Sequence, residues 1–340
     1  MLLKKCSGCR ASGKKDDNPK MPYRLHIRKF LKLVRSFLRL VRYPNLIFIF
    51  LTQYLLQYGV IRPVLGWYGI GPTLSGTLFF LLCLSTVLVA AAGYIINDYF
   101  DINIDLVNRP GRIIVDKVIS RRWAIAWHTL LNTAAVILGF LVAFSEHNWM
   151  AGFIQPICTG LLWFYSTSYK RQLITGNLVI SLLTAMTVLV VGIYEPMLYR
   201  HGFNQPLYVA YRLDRILAIY ALFAFLISLV REIVKDLEDL PGDLKEGCRT
   251  IPIAWGINQA KGICYALTAL LVLLVFLVQF RLGAWGWWGE VAYLALLVQL
   301  PLVYTTIQLK KATLPAHFHR GSTLLKGIML TGILSMLFFA

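Results

Sequence analysis

Aspartates recur in one spacing at two places in this chain. Asn97, Asp98, Asp101 and Asp105 make the first set, and Lys235, Asp236, Asp239 and Asp243 the second, with Glu238 between. In both, aspartates stand at i, i+3 and i+7, which is one face of a helix. Two like charges at 4 Å near a protein surface repel by about 4 kcal/mol. Three on one face therefore require water or a cation between them. Two such faces turned toward each other would hold hard divalent cations. Mg²⁺ bound through a few carboxylates usually shares its remaining sites with substrate phosphates. The implied chemistry is the departure of a diphosphate, with Asp98, Asp101, Asp105, Asp236 and Asp239 as metal ligands and Asn97 beside them as a further amide oxygen.

The surrounding sequence says what must position these residues. The hydrophobic fraction is 58% and mean hydropathy is +0.64. Apolar runs of about 20 residues, the length a bilayer requires, recur along the chain. They predict an all-α polytopic membrane protein with nine spans, near residues 44–64, 73–97, 123–144, 149–166, 176–196, 214–233, 260–280, 288–309 and 322–340. The fourth contains Pro156 and the eighth Pro301, which neighbouring helices can accommodate. Between 234 and 259 the pattern predicts a loop. Residues 23–340 read as a single integral-membrane domain, and 1–22 as a flexible basic tail.

Basic residues orient the bundle. With the N-terminus inside, 29 of the 34 Lys and Arg fall on the inner side, leaving Arg62, Arg200, Arg212, Arg215 and Arg281 outside. The positive-inside rule then gives a cytoplasmic N-terminus and cytoplasmic aspartate motifs, in a bacterial or archaeal plasma membrane. The motifs begin 138 residues apart with four spans between them, and an even number returns the chain to the same side. The net charge of +18 belongs to these loops. It is accounted for by anionic membrane lipids, and no nucleic-acid partner is expected.

The N-terminal arm carries less chemistry. Cys6 and Cys9 form a CxxC without a second ligand pair, so an unliganded tail is a better reading than zinc. No secretory apolar region precedes the spans, and Met21 is a second candidate start. From Tyr23 to Arg42, Leu, Ile, Val and Phe alternate with Arg and Lys. This pattern predicts a basic amphipathic helix in the inner interface. The cysteines in apolar spans have no evident partners, so disulfides are not expected.

Cations follow the aspartates. Arg109 and Arg112 flank a Pro-Gly turn just after the first set. Guanidinium groups match phosphate oxygens in pairs of parallel bonds. Tyr169, Lys170 and Arg171 occupy the short loop after the fourth span. Together with Lys235 and Asp243 they complete a candidate substrate-binding set. Positive-inside anchoring is the competing explanation for the basic members.

In order, these segments resemble the signatures of the UbiA superfamily of intramembrane prenyltransferases. The first is Asn97 to Asp105 followed by Asn108, Arg109, Pro110 and Arg112. The middle one is Tyr165, Tyr169, Lys170 and Arg171, then Gly176 and Asn177. The second runs from Arg231 and Lys235 through Asp236, Asp239 and Asp243 to Thr250 and Pro252. It is most similar to the branch that geranylgeranylates geranylgeranylglyceryl phosphate. One departure is Ile113, where the family often has proline. The resemblance covers the chain from about residue 30 onward.

It implies two helical half-bundles around a central cavity, capped by cytoplasmic loops. It also implies Mg²⁺-dependent transfer of a prenyl group from an allylic diphosphate to a lipophilic acceptor, with a glyceryl-phosphate hydroxyl the leading choice. Arg109, Lys170 and Arg171 would neutralise the departing diphosphate while the cavity keeps water from the allylic cation. An aromatic quinone or pigment precursor is the second acceptor class. A secondary transporter is the non-enzymatic alternative, but its acidic residues belong near the midplane rather than at the inner edge.

Overall fold

The computed structural model describes residues 22–71, 74–111, 113–199 and 207–339. The tail carrying Cys6 and Cys9, Met21 and the side chain of Arg112 lie outside the described residues. Helix α1, Pro22–Leu40, is the amphipathic segment. Leu31, Val34 and Leu38, at helical spacing, are exposed along it, as a helix resting in a membrane interface requires. Arg42, with φ of 52°, turns the chain into α2, Tyr43–Gly66.

The remaining long helices are α3 (Gly76–Phe100), the short α4 (Ile102–Asn108), α5 (Arg121–Ser145), α6 (Ile154–Thr167), α7 (Thr175–Tyr194), α8 (Leu207–Lys245), α9 (Ile257–Ala284), α10 (Trp288–Lys311) and α11 (Pro315–Leu334). Ser75 starts α3 by accepting the Leu78 N–H at 3.3 Å. Prolines inside spans are absorbed by local rewinding. In α2 a π-turn, Leu56–Ile61, precedes Pro63. In α10 another, Ala295–Gln299, precedes Pro301. Each proline removes one amide donor, and a wider turn redistributes the carbonyls left behind. Pro156 falls in the first turn of α6, where no donor is needed.

Eight helices among the described residues are long and apolar enough to cross a membrane. The expected fourth span differs. It is a 3₁₀ segment, Trp149–Phe153, running into the 14-residue α6. Together they rise about 31 Å, close to the hydrocarbon thickness. Parity requires the crossing: α5, α6, α7 and α8 separate the two aspartate motifs, and side chains from both motifs meet at one end.

The loop expected from residue 234 is, in fact, helical as far as Lys245. Pro241 does not end α8. The Asn108 side chain packs on that turn, donating to the Asp239 carbonyl and accepting from the Gly242 N–H, both at 3.0 Å.

The buried apolar residues form two large groups. One joins α2, α3, α7 and the first half of α8. The other joins the second half of α8 with α9, α10 and α11. A cavity of about 290 Å³ is lined by α2, α3, α6, α7, α8 and α11. Arg42, Asn97, Glu232 and Lys235 line its polar end, and Val190, Ile333 and Met336 its apolar end.

Candidate active site

The first motif is not one continuous helix. Asp101 caps α3 with φ −91° and ψ 2°, and the chain restarts as α4. Two backbone bonds span the break, Asp101 N–H to Asn97 carbonyl at 3.0 Å and Asp105 N–H to Asp101 carbonyl at 2.8 Å. The Asn97 amide donates to the Asp101 carboxylate at 2.7 Å. Short polar side chains that bond locally favour such a break. In the second motif, Asp236, Asp239 and Asp243 all lie on the unbroken α8, as their spacing predicts.

Five carboxylates of the two motifs are engaged by neighbouring side chains. Asp98 accepts from the Arg42 guanidinium at 2.7 Å. Asp101 pairs with the Lys170 ammonium. Asp236 accepts from the Asn177 amide at 2.8 Å. Arg109 bridges Glu238 at 2.8 Å and Asp239 at 2.9 Å, and His319 reaches Glu238 at 2.9 Å. Burial, then the Asp98 charge, pushes the Asp105 carboxyl up to about 6. Burial, with Arg171 adding to it, pushes the Lys170 ammonium down to about 8. Both groups thus sit in a crowded, poorly hydrated pocket where small changes in charge carry weight.

The loop holding Lys170 is placed by close packing. A Cβ on Gly176 would come within 2.7 Å of the Lys170 Cα, so only glycine lets α7 begin there. The structure brings Asn97, Asp98, Asp101, Asp105, Arg109, Lys170, Asp236, Asp239 and Asp243 to one end of the bundle. Two candidates stand apart, and a third, Lys235, lies at the polar end of the cavity but is held by Glu232. The Arg171 side chain is exposed, and its carbonyl accepts from the Arg249 N–H at 2.9 Å. Tyr169 packs on Phe164, with ring centroids 6.0 Å apart. Lys235 pairs with Glu232 at 3.0 Å, which Arg231 also reaches at 3.1 Å.

Two residues escape sequence reasoning. Arg42 is separated from Asp98 by two spans and reads as one more inner-edge basic residue. Asn108 lies in a quoted motif, but nothing in its type foretells a tether to Asp239 and Gly242. Its only sequence signal is that Gly242 follows a proline inside a helical stretch.

Among the described residues no three His, Cys, Asp or Glu side chains converge on one point. The donor set nevertheless suits Mg²⁺. It is all oxygen, and such an ion needs only one or two carboxylates when substrate phosphates supply the rest. Asn97 Oδ1 is buried without a hydrogen-bond donor, an acceptor beside Asp98 and Asp101 open to a cation.

The UbiA prenyltransferase family model matches residues 59–325. Among curated relatives, the digeranylgeranylglyceryl phosphate synthase of Thermococcus sibiricus is 33% identical over 57% of this chain and 63% of its own length. That of Korarchaeum cryptofilum is 30% identical over 82% of this chain and 91% of its own. Among solved structures, one of a digeranylgeranylglyceryl phosphate synthase in membranes superposes with a TM-score of 0.60 at 23% identity, covering 90% of this chain and 99% of the other. A UbiA homolog from Archaeoglobus fulgidus bound to GPP and Mg²⁺ gives a TM-score of 0.54 at 16% identity, covering 88% and 99%. At these identities the structural likeness is one of fold. The chain belongs to the UbiA prenyltransferase family.

Proposed function

We propose that this UbiA-family membrane enzyme transfers a geranylgeranyl group from its allylic diphosphate to a free hydroxyl of geranylgeranylglyceryl phosphate, forming an ether. The carrying observation is the tether between the motifs. Asn108 and Arg109, from the end of the first, bond Asp239, Glu238 and Gly242 of the second, above a cavity that turns apolar with depth. Such an arrangement has a charged rim for a diphosphate and a dry interior for its isoprenoid tail. The names of the relatives support the choice of acceptor. A geranylgeranyl donor follows from the same names.

Asp98, Asp101 and Asp105 on one side, with Asn97, and Asp236 and Asp239 on the other, would hold Mg²⁺ with the diphosphate. Bound there, Mg²⁺ supplies a Lewis acid that offsets charge on the leaving oxygens. Arg109 and Lys170 already lie among these carboxylates and are placed to take the phosphate oxygens when the donor enters. Their two charges stabilise the diphosphate as the C1–O bond lengthens. The apolar wall excludes water from the allylic cation, so that the acceptor hydroxyl captures C1. The products are an alkyl ether, diphosphate and a proton. Asn177 orients Asp236, and Arg42 orients Asp98, through the bonds described above. Asp243 and Lys235 shape the charge around the second motif.

The motif end is assigned to the cytoplasmic side, because 29 of the 34 basic residues gather there when the N-terminus is inside. Water-soluble diphosphate then leaves on the side where it was made. A panel of acceptors tests the function. Purified protein with Mg²⁺ and geranylgeranyl diphosphate should prenylate geranylgeranylglyceryl phosphate and leave aromatic quinone precursors unmodified. Transfer to the aromatic ring alone would replace this reading with the second acceptor class.

A further inference from the structure

Helices α8 and α11 run antiparallel in a register that three contacts define. The Tyr220 and Ser335 hydroxyls are 2.9 Å apart. A Cβ on Gly332 would meet the Phe223 ring at 2.9 Å, and one on Gly321 would meet Val234 at 3.7 Å. In each pair one residue number rises as the other falls by the same amount. That register sets Arg231 opposite Leu324 and Lys326 opposite Leu229, about 3 Å apart along the axis, and both cations line the cavity.

Neither cation is neutralised in the ordinary way. The Lys326 ammonium donates to the Asn45 amide oxygen at 2.6 Å and lies 5.0 Å from the centre of the Phe48 ring. Among the described residues no carboxylate pairs with it. Arg231 shares Glu232 with Lys235, and its Nε is buried without an acceptor. Four cations line the cavity: Arg42 pairs with Asp98, while Arg231, Lys235 and Lys326 have Glu232 as the single cavity-lining carboxylate among them. A charge on a largely apolar wall is costly unless a counter-charge arrives. The chemistry that answers these charges is anionic.

Its position separates it from the donor diphosphate. Arg231 precedes Asp236 by five residues on α8, about 7.5 Å deeper along the axis. Arg109 and Lys170, by contrast, touch Asp239 and Asp101 themselves. In a glyceryl phosphate acceptor the phosphate ester sits a few ångströms from the attacking hydroxyl. With that hydroxyl at C1 of the donor, the ester must rest near the motifs but apart from them.

We propose that Lys326 and Arg231 form a second anion subsite, which binds the phosphate monoester of the acceptor. The inference rests on the glyceryl-phosphate reading given above and names the side chains that make it specific. Asn45 positions the ammonium, and Tyr94, whose hydroxyl accepts from the Asn45 amide at 3.1 Å, ties that position to α3. A phosphate monoester carries close to two negative charges near neutral pH. It matches two cations better than a neutral or singly charged headgroup does.

The test compares geranylgeranylglyceryl phosphate with the same glyceryl ether lacking its phosphate. Steady-state transfer is measured for the wild-type full chain, Lys326→Met and Lys326→Arg, with geranylgeranyl diphosphate and Mg²⁺. The readout is the ratio of kcat/KM between the two acceptors, which partial misfolding leaves unchanged because it lowers both. The wild type should favour the phosphorylated acceptor, and Lys326→Met should reduce that preference by about tenfold or more through acceptor KM. Lys326→Arg should keep most of the preference, and donor KM should stay within about twofold of wild type in both variants. An unchanged preference in Lys326→Met would overturn the subsite while leaving the proposed reaction standing. A rise in donor KM instead would move these cations to the diphosphate clamp and overturn it as well. A wild-type enzyme indifferent to the phosphate would sink the glyceryl-phosphate reading itself, and the subsite with it.

Discussion

Gly242→Ala isolates the join between the two aspartate motifs. An added Cβ would stand 2.4 Å from Asn108 Nδ2 and 2.7 Å from its Cγ, with Gly242 on the buried side of α8. No side chain fits at that distance, so the Asn108 amide must leave. Two hydrogen bonds go with it, to the Asp239 carbonyl and from the Gly242 N–H. At about 0.5–1.5 kcal/mol each, the loss is about 1–3 kcal/mol. Replacing Gly by Ala inside a helix returns about 1 kcal/mol. Global stability should therefore change by no more than about 2 kcal/mol. The site loses the whole tether, because helix propensity does nothing to hold α4 against α8. If the tether's energy is spent on aligning the motifs, kcat/KM should fall roughly five- to hundredfold. Asn108→Ala removes the same two bonds and should give a fall of similar size. The double variant should be little worse than either single one, since both break one contact. The assay is prenyl transfer by detergent-purified protein, with thermal unfolding as control. Wild-type kcat/KM in Gly242→Ala would refute the reasoning. So would full additivity in the double variant.

Further outcomes follow from the same geometry. Asp98→Ala and Asp236→Ala should each reduce transfer by at least about a thousandfold while expression and thermal unfolding stay close to wild type, because each removes a half-buried polar side chain at the motif end of the bundle rather than an apolar core contact. Chelator should abolish transfer, and Mg²⁺ or Mn²⁺ should restore it, as an all-oxygen donor set demands; full activity in persistent EDTA would contradict the metal assignment. Lys170→Ala should raise donor KM by about tenfold or more, since its ammonium meets Asp101, whereas Arg171→Ala should change it by less than about threefold, since that side chain is exposed. Equal effects of the two substitutions would mean that the loop moves on donor binding. Arg42→Ala should lower kcat more than donor affinity, by freeing Asp98 from its 2.7 Å contact; an effect on expression alone would leave it a topology residue.

Much of this site is legible in the chain because its residue types carry their own reasons. Aspartates at i, i+3 and i+7 at the ends of apolar runs have few structural uses, and the even count of spans places both sets at one end. Legibility fails where geometry depends on partners. Asp101 breaks the first motif into two helices, which spacing alone cannot show. Pro241 reads as a helix terminator, yet α8 continues because Asn108 satisfies the adjoining turn. The fourth crossing falls short as an α-helix because its first residues, Trp149–Phe153, wind as 3₁₀. Arg171 is indistinguishable from Lys170 by type, and only the placement of the loop against Gly176 separates them. Arg42 and Lys326 look like inner-edge anchors until packing sets them in the cavity wall.

The central claim is that the paired motifs drive transfer of an allylic group onto a glyceryl-phosphate hydroxyl. Its most direct test counts products. Purified protein is given geranylgeranyl diphosphate, geranylgeranylglyceryl phosphate and Mg²⁺; released diphosphate is quantified, and the lipid product is identified by mass spectrometry. The account predicts one ether-linked product per diphosphate released, with both lost in Asp236→Ala. Diphosphate release without ether, or ether formation that survives in Asp236→Ala, would contradict it.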